Sequence, residues 1–130
     1  MKKLTLLLLL MVSTSVLAEW TRVVDNSDGD MTIYIDYRTI KKKNNKVRMW
    51  WLFDYKTIRK VKNYRYLSQI SRMEFDCEEE ILRGMDMYWY SKNMRKGEII
   101  YSYENIKHEP KPIIPESISE TLFKIACGKK

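Results

Sequence analysis

The chain has 130 residues, with 24 basic and 17 acidic side chains, one histidine and a net charge of +7 at neutral pH. That length suits one domain rather than two. Four glycines, two cysteines and a lone histidine argue against glycine-rich phosphate loops and against zinc sites built from cysteine and histidine.

The N-terminus, MKKLTLLLLLMVSTSVLA, has the layout of a secretory signal peptide: two lysines, an apolar run from Leu4 to Val12, then small residues ending Val16-Leu17-Ala18. The run is too short to span a bilayer, which needs about 20 apolar residues. Glu19 follows the expected cut where a lipid anchor would need cysteine. The expectation is an exported protein, periplasmic or at the cell surface, with no membrane span and no lipid anchor. Lys2 and Lys3 leave with the leader, so the mature 112 residues carry 22 basic and 17 acidic side chains. That surplus permits attraction to polyanions without establishing it.

Cys77 and Cys127 are the two cysteines. Export makes a disulfide permissible, and an even count makes it the default. The loop it closes predicts a stabilisation of roughly 4 kcal/mol. Metal binding by the two cysteines and His108 would lack a ligand and has no zinc-type spacing. No metal and no cofactor is expected.

Strand signals dominate the mature chain. EWTRVV (19–24) precedes the turn cluster NSDGD (26–30), and MTIYID (31–36) alternates with Ile33 and Ile35 on one face. Asn44-Asn45 within KKKNNK (41–46) suits a tight turn. KVRMWWLFDY (46–55) reads as a long strand with Val47, Met49, Trp51, Phe53 and Tyr55 toward the core. Lys56–Arg65 does not alternate and is expected to be an irregular connection. YLSQISRMEFDC (66–77) and EILRGMDMYWYS (80–91) form a further pair of strands. In the second, Met85, Met87 and Trp89 facing in would turn Tyr88 and Tyr90 out. NMRKG (93–97) makes a turn before a final strand, EIIYSY (98–103). Short connections make this an antiparallel meander of about six strands.

HEPKPIIPES (108–117) holds all three prolines and reads as an extended strap. Ser117 and Glu120 form an S-x-x-E capping box. Ile118, Leu122, Ile125 and Ala126 make the apolar stripe of a C-terminal helix, which needs the sheet as its partner surface. The fold class is therefore α+β: an antiparallel sheet with a C-terminal α-helix packed on it.

Catalytic patterns are weak. His108 has no nucleophile motif around it. Glu74, Asp76, Glu78, Glu79 and Glu80 cluster, but acidic runs at a strand turn are usually solvated, and nothing nearby predicts a buried, pKa-shifted member. Basic residues are more organised. Lys56, Arg59, Lys60, Lys62, Arg65 and Arg72 run without an acidic residue among them, with Tyr64 and Tyr66 inside the group. Arg38, Lys41, Lys42, Lys43, Lys46 and Arg48 form a second stretch near Trp50. Cations with interleaved aromatics bind anionic polymers or protein partners. Nucleic acid is disfavoured, since no recognised motif is present and export removes the protein from most of it.

Taken in order, EWTRV, IYIDYRTI, KVRMWWLFDYK, the DC at 76–77 and IPESISETLFKIAC resemble the surface-adhesin protein E family over essentially all of 19–127. The resemblance implies a curved antiparallel sheet with a C-terminal helix and a Cys77–Cys127 disulfide. Asp36, Trp51, Asp54, Tyr55, Leu122 and Phe123 match as structural positions. It also implies a binding role rather than catalysis, with host extracellular-matrix and serum glycoproteins as partners and homodimers as an assembly. The expected partner-binding residues are Arg59, Lys60, Lys62 and Arg65, with Tyr64 and Tyr66 as apolar support. The competing reading is a periplasmic structural or envelope-associated subunit with no host ligand.

Overall fold

A computed structural model of the chain describes residues 19–128; the expected signal peptide, residues 1–18, lies outside them. In chain order the strands are β1 (Thr21–Asp25), β2 (Met31–Ile35), β3 (Lys41–Lys43), β4 (Lys46–Val61), β5 (Tyr64–Asp76), β6 (Ile81–Tyr90), β7 (Ile99–Tyr103) and β8 (Lys111–Pro112). A 3-10 turn at Tyr37–Thr39 precedes β3, and helix α1 spans Ile118–Cys127. All pairings are antiparallel, in the order β1-β2-β4-β5-β6-β7, with β3 beside β4 and β8 beside β6.

The six strands of the main path are the six read from sequence. The two additional ones are short. β3 arises because the lysine run pairs back on β4 through a turn at Asn44, whose φ of 56° is the left-handed conformation that asparagine tolerates. β8 holds Pro112 on the outer edge of β6, where its missing N–H breaks no ladder.

Lys56–Arg65 corrects the expectation. It is no irregular connection: β4 runs on to Val61, turns at Lys62-Asn63 and returns as β5. The register shifts between Asp54 and Arg59, and this irregularity breaks the alternation that sequence reading relies on. Shifts also occur in the β1–β2, β5–β6 and β6–β7 pairings, and each bends and twists the sheet locally.

One face carries the main core. Ile33, Ile35, Val47, Met49, Trp51 and Phe75 pack under Leu122, Phe123 and Ala126 of α1. Burying each large apolar side chain there is worth about 1.5–3 kcal/mol. Ile118 and Ile125 sit at the margin of the contact, so the helix is turned slightly from the stripe read in sequence, admitting Phe123. Ser117 caps the helix, its Oγ accepting from the Glu120 N–H at 3.2 Å. The return half of the capping box is displaced: Glu120 accepts from the Glu116 N–H instead. Gly128, with φ of 66°, ends the helix in the left-handed conformation. Cys127, one residue earlier, is bonded to Cys77 just past β5, with Cα atoms 5.6 Å apart.

The opposite face is not bare. Leu52, Ile70 and Tyr90 are buried there, against the expectation that Tyr90 points to solvent. The 91–97 segment folds over them: Asn93 Nδ2 and the Met94 N–H donate to Asp54 Oδ1, and the Arg95 N–H donates to Ser68 Oγ. Two-sided burial in the middle of β4 and β5 is why a single inward face does not describe them.

Candidate partner-binding surface

The far end of the β4–β5 hairpin carries the basic residues singled out in sequence. Arg59 pairs with Tyr66, Lys60 with Arg65 and Val61 with Tyr64. Consecutive pairs point to opposite sides of the ribbon, so Arg59, Val61, Tyr64 and Tyr66 share one side and Lys60 and Arg65 the other. Lys62 lies in the turn between them. The six expected residues are thus brought to one hairpin tip but not to one face.

The Tyr66 side of the ribbon packs onto the sheet. Tyr66 lies parallel to Trp89 with ring centroids 4.2 Å apart, and Tyr55 meets Tyr66 edge-on at 5.8 Å. The Arg59 guanidinium sits 4.5 Å above the Tyr55 ring. Tyr64 and Tyr101 approach each other at 5.2 Å, and both contact Trp89. Tyr66 is only 7% exposed, so it is a foundation rather than a contact residue. The rings open to a partner are Tyr64 and Tyr101, at 36% and 39% exposure, flanked by the exposed Val61. An apolar patch with an arginine beside it has the composition of interface centres.

Hydrogen bonds fix the buried layer. Trp89 Nε1 donates to Gln69 Oε1 at 2.8 Å, and Gln69 Nε2 donates to Ser71 Oγ at 2.9 Å. Burial pushes the Tyr55 hydroxyl up to about 12 and raises that of Tyr66 as well. Both rings stay neutral at physiological pH, leaving arginine and lysine to set the charge of the surface.

Trp89 and Tyr101 are missing from the sequence prediction. They are cross-strand partners on β6 and β7, some thirty residues from the hairpin in sequence. The alternation in MYWY and IIYSY was their only signal, and it says nothing of which strand lies beside the hairpin. Arg72, counted with the basic run, does not belong to the surface. Its Nε is held by Asp86, and its Nη2 donates to Asn105 Oδ1.

The acidic cluster also departs from expectation, because Glu74 is buried. Burial pushes its carboxyl up, yet hydrogen bonds from Arg48 Nε at 2.8 Å and Arg83 Nη2 at 2.7 Å hold it below the ordinary glutamate value. A carboxylate so held stays ionised at neutral pH and does not serve as a general acid. Asp76 accepts the N–H groups of Glu78 and Glu79 and so closes the turn. His108 packs edge-on against Tyr103 at 5.0 Å. Among the described residues, no three histidine, cysteine or carboxylate side chains are placed to hold a metal, and no helix is long and apolar enough to cross a membrane.

The fold is that of protein E from Haemophilus influenzae. A second crystal form of that protein superimposes with a TM-score of 0.67 at 18% identity, covering 88% of this chain and 91% of the other. Protein E from non-typeable Haemophilus influenzae gives 0.64 at 18% identity, over 88% and 79%. No curated protein matches the sequence significantly. The family profile described as surface-adhesin protein E matches residues 20–128, and this chain belongs to that family.

Proposed function

We propose that this chain is an exported, non-catalytic adhesin-like protein that binds a protein or glycoprotein partner through the hairpin-tip surface. The family is described as a surface adhesin, which supports a host surface protein as the partner class, and extracellular-matrix glycoproteins are the members of that class proposed here. The observation that carries the reading is the pair of half-exposed rings, Tyr64 and Tyr101, seated on the buried Tyr66–Trp89 stack beside Arg59. Rigid aromatic anchors lose little side-chain entropy on binding, and an adjacent arginine adds direction. Tyr64 and Tyr101 are the contact rings, Arg59 and Lys62 supply charge at the same side and turn, and Lys60 and Arg65 steer from the reverse side.

The test is binding of oxidised protein 19–130 to a panel of matrix glycoproteins across a salt titration. Saturable binding that persists at physiological salt is expected. Tyr64→Ala with Tyr101→Ala should weaken it by about 30-fold, the size of a hot-spot loss. Lys60→Ala with Arg65→Ala should mainly flatten the salt dependence. Silence across the panel, with the protein recovered from the periplasmic fraction, would replace this reading with the envelope-subunit one.

A further inference from the structure

The opposite end of the β4–β5 hairpin holds a second array of charge that the hairpin tip does not use. Lys41 pairs with Arg48 and Lys43 with Lys46, across β3 and β4. Lys42 pairs with Val47 between them, so these four cations share one side of the ribbon. The ladder continues inward. Arg48 is opposite Glu74 and Lys46 opposite Asp76 on β5, while Glu74 is opposite Arg83 on β6. Two rungs therefore cross the sheet, Lys41–Arg48–Glu74–Arg83 and Lys43–Lys46–Asp76, with five cations on them and two carboxylates. Strands lie about 4.8 Å apart and the rungs about 7 Å apart along the chain, so the cations form a grid rather than a scatter.

Like charges directly opposite each other weaken a strand pair. Both β3–β4 pairs on this side have that arrangement, and among the described residues Glu74 is the carboxylate that ion-pairs with them. Glu74 is shared by Arg48, Arg83 and, at 3.9 Å, Lys46, so one carboxylate faces three cations. Asp76, opposite Lys46, accepts both turn N–H groups on its Oδ1. Lys41 and Lys43 are exposed and have no ion pair among the described residues. Lys41, Lys43, Lys46 and Arg48 line a depression of about 600 Å³ together with Glu74, whose carboxylate bonds both Arg48 and Arg83. The turn is also anchored: the Asn45 carbonyl accepts from the Cys77 N–H at 2.8 Å, next to the disulfide.

We infer that this grid is a binding site for a sulfated polysaccharide. A preformed array of cations with a net surplus fits a ligand bearing several fixed anions a few ångströms apart. Lysines supply adaptable point charges, and the arginines supply planar donors. Single-stranded nucleic acid fits less well, because its bases need aromatic platforms and no aromatic side chain stands on either rung. The site lies at the far end of β4 and β5 from Tyr64, so it shares no residue with the partner surface proposed above.

The experiment is calorimetric binding of the full oxidised protein to a heparin oligosaccharide, to its desulfated counterpart and to a single-stranded DNA of equal charge, each across a salt series. The triple variant Lys41→Ala, Lys43→Ala, Lys46→Ala is compared with Lys92→Ala, Lys96→Ala, Lys107→Ala, which removes three exposed charges elsewhere. The first should lose about tenfold or more in heparin affinity with a shallower salt slope, the second less than about threefold, and the desulfated sugar should not bind. Equal losses in both variants, DNA binding as tight as heparin, or no heparin binding by the parent protein would each overturn the assignment. Unfolding curves of both variants identify any loss that comes from misfolding.

Discussion

Tyr66 and Trp89 lie face to face, 6° from parallel, although neither is the other's strand partner: Tyr66 pairs with Arg59 and Trp89 with Gln69. The stack joins the outer end of the β4–β5 hairpin to the β6–β7 side of the sheet.

Removing that stack should loosen the hairpin. Tyr66→Ala is expected to cost about 3–5 kcal/mol, the range for deleting a buried aromatic ring. Tyr64→Ala removes a half-exposed ring and should cost less than about 1 kcal/mol. Urea unfolding of the two variants reads the difference, and equal midpoints would mean that the stack carries no structural weight.

Alkaline pH should attack the same place. Tyr55 ionises near 12 in the folded protein against 10 in a free chain, because burial disfavours the phenolate. A raised folded value means the stability is intact below pH 10 and is lost as pH climbs through the window from 10 to 12. Absorbance titration of the phenolates should show a late, cooperative fraction coincident with loss of tertiary signal. Tyr55→Phe should move that transition upward.

Acid acts through Glu74. Its folded value lies below the ordinary 4.5, so the contribution is present above that value and disappears as pH falls through the lower folded one. The protein should therefore hold a plateau down to about pH 5 and weaken below it. Glu74→Gln should lower stability by about 1.5–3 kcal/mol at neutral pH, toward the small end because Arg48 is half in water. The variant should also show a flatter acid limb in thermal scans; an unchanged limb would assign the acid sensitivity to other carboxylates such as Asp36.

The disulfide closes a loop with a sequence separation of 50, for which chain entropy predicts roughly 4 kcal/mol. Cys77→Ser with Cys127→Ser should lower the denaturant midpoint accordingly and free α1 first. Hydrogen exchange of the helix amides, accelerated well beyond those of β4 and β5, is the signature; uniform acceleration would mean that helix and sheet unfold as one unit.

Local chemistry determined much of this protein. Alternation at Ile33, Ile35, Val47, Met49 and Trp51 placed the core face, Asn44 placed a turn, and Ser117 with Leu122 and Ala126 placed the helix, because each signal is written within a few neighbouring residues. Two cysteines left one intramolecular pairing. What the tertiary structure decided was everything that joins residues distant in sequence. The register shift after Asp54 hid a continuous strand, since alternation fails where extra residues are inserted. The fold of 91–97 over β4 and β5 buried Tyr90 and Leu52 on the face that periodicity assigned to solvent. Cross-strand register split Lys60 and Arg65 from Arg59, and set Trp89 and Tyr101 beside the hairpin tip. It also aligned Lys41, Arg48, Glu74 and Arg83 on one rung. Register depends on long-range pairing, and a one-residue change in it moves every side chain to the other face, so no local pattern could have specified either surface.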